Sequence, residues 1–381
     1  MFTDSHLIQT PRKLRIEMSQ FSRRSFLATT AAIAASGTNS TIAADANDID
    51  WYDVREWGVE GKGFDDTVSY FDRLPGRAKG VVRDAVWNLS RHSSGMMVRF
   101  GTDATEIYAD YEVVSKNLGM AHMPATGVSG LDLYATDNDG KSRWVSVVKP
   151  KAQKTKGVIA KDLRPGFREY SVYLPLYNGT KRLSLGTPTG TRFEPVAPRA
   201  DKPVVFYGTS ITHGACASRP GMPHPSILGR RLNRPVINLG FSGNGKLEAE
   251  VGRFLVELDP AVYVLDCLPN MTAGEVKART EPMVRQLRTA HPEVPIVLVE
   301  DRTYGYSWIR ESARNRNDSS RGELRSAYRR LLDAGLDKLF YIEGENLLFG
   351  DDTTDGSHPS DLGFYRQAEA FEPVLRAALA T

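Results

Sequence analysis

The sequence predicts an α/β fold in two parts: an all-β sandwich, then a domain whose parallel sheet is covered by helices on both faces. Three observations predict it. Between residues 51 and 198, short runs alternate apolar and polar residues with period two and are separated by turn residues. Beyond residue 199, apolar runs of four residues alternate with amphipathic stretches, as buried parallel strands and their covering helices do. Between the two regions, Pro188, Pro195, Pro198 and Pro203 punctuate residues 187–203, which reads as a stiff linker.

The sandwich strands are expected at residues 96–100, 105–113, 131–134, 144–148 and 168–174. Asp137-Asn138-Asp139-Gly140 and Tyr177-Asn178-Gly179 supply residues that tolerate the positive φ of hairpin turns, and no helix is expected among them. In the second part, strands are expected at 204–207, 236–239, 262–265, 296–299 and 339–342. Helices fit at 226–232, 247–258, 275–290, 322–334 and 361–380. The expected division is a leader over 1–46, the sandwich with its linker over 47–198, and the α/β domain over 199–381.

Residues 1–46 read as an address: Arg23-Arg24 stands ahead of a mild apolar run and then small residues, in the manner of a twin-arginine export signal. The expected partner is the twin-arginine translocation machinery, and the expected location is periplasmic or extracellular. The leader holds five Lys/Arg and three Asp/Glu, so the formal charge of +3 falls to +1 without it. So small a charge gives no reason to expect nucleic acid as a partner, and no run of about 18 apolar residues suggests a membrane span. Cys216 and Cys267 read as two buried small hydrophobes rather than a disulfide framework.

In open parallel sheets, ligands bind beyond the carboxyl ends of the strands. The loop after the first such strand is Gly208-Thr209-Ser210-Ile211-Thr212-His213-Gly214, which is not the G-x-S-x-G elbow because Thr212 stands in the second glycine position. Ser210 there is either a helix cap or a nucleophile. The next loop, Asn238 through Gly245, is a glycine turn or a set of amides aimed at an anion. Asn270, after the third strand, is an Asx turn or an oxyanion donor. Asp355-Gly356-Ser357-His358 offers a base with a carboxylate three residues before it.

These four blocks, in this order, resemble the SGNH (GDSL-like) hydrolases. The likeness extends to Cys216-Ala217-Ser218-Arg219-Pro220-Gly221 and to Gly130-Leu131-Asp132-Leu133-Tyr134, which looks like the Gly-x-Asp-Leu-Tyr signature of the subgroup with an N-terminal jelly-roll domain. The resemblance implies a flavodoxin-like three-layer domain and a triad of Ser210, His358 and Asp355. It also implies oxyanion donors from the Ser210 amide, the Gly243 amide and the Asn270 side chain. Thr209 departs from the Asp of the GDSL name, and Leu268-Pro269 precedes Asn270 where many relatives carry glycine. Such a set needs neither metal nor cofactor for acyl transfer: His358 takes the serine proton, Asp355 fixes the imidazole tautomer, and the donors meet charge that develops in the transition state.

His213 and His224 read as polar rim or caps, and Asp351, Asp352 and Asp355 as a solvated turn without calcium-loop spacing. Residues 301–320 read as a long loop, with Arg302, Tyr304, Tyr306 and Trp308 as candidate substrate contacts; packing of this loop at the domain interface is the equal alternative. The expected activity is hydrolysis of short-chain esters, acetyl foremost, on a carbohydrate. An acyltransferase, a lipase-like esterase and a non-catalytic glycan-binding protein are the alternatives.

Overall fold

The computed structural model describes residues 48–381, so the expected export signal lies outside the described residues. The first half is built from β1 (Ile49–Asp53), β2 (Met97–Thr102), β3 (Ile107–Val113), β4 (Asp132–Thr136), β5 (Ser142–Val147), β6 (Lys154–Ala160), β7 (Arg168–Tyr173), β8 (Thr180–Pro188) and β9 (Phe193–Val196). They form two sheets, ordered β1-β8-β3-β6 and β5-β4-β7-β2-β9, in which every neighbour pair is antiparallel. Alternation along the strands fills the space between the sheets: Ile107, Ala109, Tyr111 and Val113 of β3 meet Val98 and Phe100 of β2 and Val172 of β7 in one core.

Two expectations fail in this half. A helix is present, α1 (Asp84–Ser90), whose Val86 and Trp87 are buried. Phe64, Leu74, Val82, Val86 and Trp87 pack not into the sandwich but into the core of the second half, so this segment follows a different apolar surface from its neighbours. The expected linker also contains strand β9, which pairs with β2 at the sheet edge, where Pro195 removes no hydrogen bond needed by a central strand. A single helical turn, α2 (Ala125–Val128), precedes β4.

The second half holds β10 (Val204–Gly208), β11 (Val236–Gly240), β12 (Val262–Asp266), β13 (Ile296–Val299) and β14 (Leu339–Ile342). All pair in parallel, in the order β11-β10-β12-β13-β14, which is the flavodoxin-like arrangement. Val204 and Phe206 of β10 face one core and Val205 and Tyr207 the other, so the strand must be apolar on both sides. One face is covered by α5 (Ala249–Leu255), α6 (Ala273–Ala290) and α7 (Glu311–Asp333), the other by α4 (His224–Arg231) and α8 (Asp361–Leu379), with α3 (Ser210–His213) a single turn after β10. Helix α7 begins eleven residues before the expected start at 322. Its first turns bury Asn317, Ser320 and Arg321 with Ala313 the one apolar residue among them, too little for apolar periodicity to reveal them.

The Gly-x-Asp-Leu-Tyr segment joins the halves. Asp132 is fully buried and accepts from the Arg219 guanidinium at 2.8 Å, from the Gly221 amide at 2.8 Å and from Trp144 Nε1 at 3.0 Å. A Cβ at Gly221 would stand 2.5 Å from the Tyr134 ring, so the approach requires glycine. Removing one member of such a pair leaves the other charge poorly solvated. Asp132→Ala is therefore expected to lower stability by about 3 kcal/mol in urea unfolding; a loss below about 1 kcal/mol, the range of a surface pair, would show that the clasp is incidental.

Candidate active site

Each candidate group sits in a loop that follows a parallel strand. Strand β10 stops at Gly208, and Thr209 caps α3, its side-chain oxygen accepting from the Ile211 amide at 3.3 Å. A threonine therefore performs the capping that local geometry asks of this position. Ser210 opens the turn and is 7% exposed, and its Oγ lies 2.8 Å from His358 Nε2. The other ring nitrogen, Nδ1, lies 2.7 Å from Asp355 Oδ2. With a carboxylate facing Nδ1, the hydrogen-bond network assigns the ring proton to Nδ1 and leaves the Nε2 lone pair toward Ser210.

Asp355 is held by its own loop. Its Oδ1 accepts from the His358 amide at 2.8 Å and the Ser357 amide at 3.0 Å. Partial burial opposes ionisation, but these amides and the His358 ring outweigh it and bring the carboxyl down to about 2. The carboxylate is thus charged throughout the range in which a histidine titrates.

Beside this chain of hydrogen bonds lies a cavity of about 280 Å³ lined by Ser210, Gly243, Asn270, Tyr304 and His358 among others. Gly243 has φ +68°, which turns the loop after β11 back toward Ser210. Gly245 permits the close approach of that loop to β10, since a Cβ there would stand 1.9 Å from the Gly208 oxygen. Among the described residues, the Ser210 and Gly243 amides donate to no other backbone group. Asn270 Nδ2 faces the carbonyls of Phe241 at 3.4 Å and Gly245 at 3.3 Å, both long for hydrogen bonds.

Two family models match this architecture. One, described as the GDSL-like lipase/acylhydrolase family, matches residues 201–376, and the other, the GxDLY N-terminus of SGNH hydrolase-type esterases, matches residues 49–193. A protein from Bacteroides ovatus classed as a GDSL-like lipase is 30% identical, with a TM-score of 0.83 over 87% of this chain and 98% of that one. The chain belongs to the GDSL-like, SGNH-type esterase family. A salicylyl-acyltransferase of a tetracycline biosynthetic pathway is 18% identical (TM-score 0.67, 84% of this chain and 94% of that one). A family two carbohydrate esterase from Cellvibrio japonicus is 13% identical (TM-score 0.56, 88% and 99%). An acetyl xylan esterase from Butyrivibrio proteoclasticus is 11% identical (TM-score 0.53, 87% and 99%). At these identities the likeness is one of fold. No curated protein sequence matches the chain.

The remaining candidates of this SGNH-type esterase separate sharply. Tyr304 lines the cavity at Ser210. Tyr306 packs against Gly356, with the Arg310 guanidinium 4.6 Å over its ring, and Trp308, 74% exposed, borders a different, shallow cavity. Arg302 is no substrate contact: it is fully buried, forms a two-pronged ion pair with Asp266 and donates to Gln367, so no ligand reaches it. His213 and His224 are not rim residues either. Both are fully buried, and burial pushes both rings well below the ordinary histidine range, so they are neutral. Asp352 is likewise no solvated turn residue, being buried against the Phe349 amide and Arg366.

Cys216 and Cys267 are free and buried. Cys216 lies with Asp355 and His358 in a group whose ligand atoms fall within 4.8 Å of one another. Burial raises its thiol to about 11, and both imidazole nitrogens are already engaged by Asp355 and Ser210, so the donor set fits a hydrogen-bond chain better than an ion site.

Sequence reasoning missed the groups that hold Ser210 in place. Tyr177, from the expected hairpin turn of the sandwich, donates its hydroxyl to the Ser210 carbonyl at 3.3 Å. Thr212 donates to Asp266 Oδ2 at 3.0 Å. Only the apolar setting of Asp266, the last residue of β12, carried a signal: an acid ending an otherwise apolar buried strand needs a cation.

The depressed carboxyl gives a signed prediction. A folded value of about 2 against 3.8 unfolded means that Asp355 contributes stability above the unfolded value and loses it as pH falls toward the folded one. The urea-unfolding difference between wild type and Asp355→Asn should stay constant above about pH 5 and shrink progressively below about pH 4. A difference unchanged down to about pH 3 would contradict the assigned hydrogen bonds.

Proposed function

We propose that this chain is an exported serine esterase that removes short acyl groups, acetyl foremost, from carbohydrate. The observation that carries the reading is the unbroken path from Asp355 through His358 to Ser210, at 2.7 and 2.8 Å, beside a small cavity. In this mechanism Ser210 Oγ attacks the ester carbonyl carbon while His358 Nε2 takes its proton. The Ser210 and Gly243 amides and the Asn270 side chain receive the oxyanion; the Asn270 contacts to the Phe241 and Gly245 carbonyls are long, so one of its two N–H donors turns to the oxyanion at small cost. Collapse expels the sugar alcohol, protonated by His358, and leaves an acyl-Ser210. Water, deprotonated by His358, attacks this ester, and the carboxylic acid departs with Ser210 restored.

A cavity of about 280 Å³ suits an acetyl-sized group, whereas a long acyl chain needs extended apolar surface. Solved structures of the same fold include proteins named as carbohydrate esterases and an acetyl xylan esterase, which supports the carbohydrate reading. The paired Arg23-Arg24 supports export, where polymers are met and acyl-CoA donors are not. An acyltransferase would use the same acyl-enzyme with an alcohol in place of water, a reading favoured by the fold likeness to the salicylyl-acyltransferase. The exposed Trp308 and neighbouring Tyr306 are the proposed contacts for polymer beyond the cavity.

Product analysis on acetylated xylan, acetylated pectin and medium-chain glycerides, with and without acceptor alcohols, tests the reading. Free acetate from the glycans is expected, with Trp308→Ala raising KM on polymer about threefold or more and leaving KM on an aryl acetate unchanged. Efficient cleavage of the glycerides with no acetate from any glycan would overturn the carbohydrate assignment, and transfer to an alcohol in preference to water would establish the acyltransferase.

A further inference from the structure

A second cavity, of about 640 Å³ against about 280 Å³ at Ser210, lies at the junction of the two halves. One wall is the outward face of the β5-β4-β7-β2-β9 sheet, and the other is α4 with Tyr365 of α8. Its charge is one-sided: Arg99, Lys141, Arg199, Arg219, Arg230 and Arg231 line it, and no Asp or Glu does. Four of the six are paired with carboxylates set back from the cavity: Arg99 with Glu169 at 3.1 Å, Arg199 with Glu60, Arg219 with Asp132 at 2.8 Å, and Arg231 with Glu372 at 3.1 Å. Lys141 and Arg230 have no carboxylate partner among the described residues.

Arg230 is the decisive group. Its guanidinium donates to the Gly221 carbonyl at 2.8 Å and the Ser226 carbonyl at 3.2 Å, and lies 4.2 Å over the Tyr134 ring and 5.4 Å over Tyr173. Carbonyls and ring faces orient a cation without neutralising it. A fork held rigid in this way has lost most of its rotamer freedom before any ligand arrives, so a planar anion binds it at low entropic cost. Thr136, Ser142 and Ser171 line the same cavity, as does the half-exposed ring of Tyr365, one face of which carries the Arg231 guanidinium at 4.5 Å, in a space far larger than a bare ion fills.

We infer that this cavity is a second binding site, for the carboxylate of an oligosaccharide bearing uronic acid. The inference rests on the carbohydrate reading for the class of ligand. The carboxylate meets Arg230, with Lys141 adding charge at the mouth, while hydroxyls and the Tyr365 ring take the sugar. The site holds an acidic polymer while esters along it enter the Ser210 cavity, and no covalent step occurs in it.

Calorimetric titration of the whole protein with trigalacturonate, xylotriose and inorganic phosphate tests this. Trigalacturonate is expected to bind, with affinity falling as salt rises, and xylotriose to bind at least about tenfold more weakly. Arg230→Gln should lower trigalacturonate affinity about tenfold or more and the exposed Lys141→Gln about threefold, with aryl acetate hydrolysis unchanged in both. If Arg230→Gln fails to fold, Lys141→Gln and the salt dependence decide. No heat with trigalacturonate, affinity unaltered by these substitutions, equal affinity for xylotriose, or phosphate binding as tightly would each overturn the inference. Because the readout is heat and not turnover, Ser210→Ala that keeps trigalacturonate binding but releases no acetate separates this site from the proposed ester chemistry.

Discussion

The ion pair of Asp266 and Arg302, sealed from solvent beneath the Ser210 turn, is the constraint on which the site's geometry depends. Neither charge is tolerable alone at such depth, so each must be fully surrounded by partners. Asp266 ends β12, Arg302 follows β13, Thr212 belongs to α3 and Gln367 to α8, and all four meet in one network. Such a pair adds little net stability, but it admits only one relative placement of the four elements. Ser210 sits two residues before Thr212, and His358 three residues before α8, so fixing these elements fixes the separation of Ser210 Oγ from His358 Nε2.

The first half of the chain completes the site rather than decorating it. Arg73 is fully buried and donates to the carbonyls of Asn238 and Gly240 at the end of β11, as well as to Leu89 and His92. Tyr177 supports the Ser210 carbonyl from the same side. Asp132 and Tyr134 grip Arg219 and Gly221, a few residues after the Ser210 turn. The first half therefore contributes backing to the loops that carry the candidate site, which accounts physically for a signature motif that contains no candidate catalytic group.

What was legible in the sequence follows from what local pattern can encode. Strands β10 through β14 are apolar on both faces and short, and their positions and parallel arrangement were readable within a residue or two. That Ser210, Gly243, Asn270 and His358 gather at one cavity with Asp355 behind the histidine was readable, because each follows a strand or precedes a helix in an order that a known family shares, and their roles belong to the proposed function. Features defined by partners distant in sequence were not readable. Helix α7 starts on polar residues that are buried only because Asp301 and Arg302 lie over them. Arg302 looked like a surface contact because nothing nearby in sequence announces Asp266, 36 positions away. Strand β9 was hidden by Pro195, which an edge position accommodates.

Every step proposed for the site depends on Ser210 being the nucleophile activated by His358. The most direct measurement is intact mass and peptide mapping after treatment with a fluorophosphonate. A single adduct on Ser210, absent from Ser210→Ala and formed at least about a thousandfold more slowly in His358→Ala, is the predicted result. An adduct on another residue, or labelling of Ser210 at an undiminished rate without His358, would contradict it.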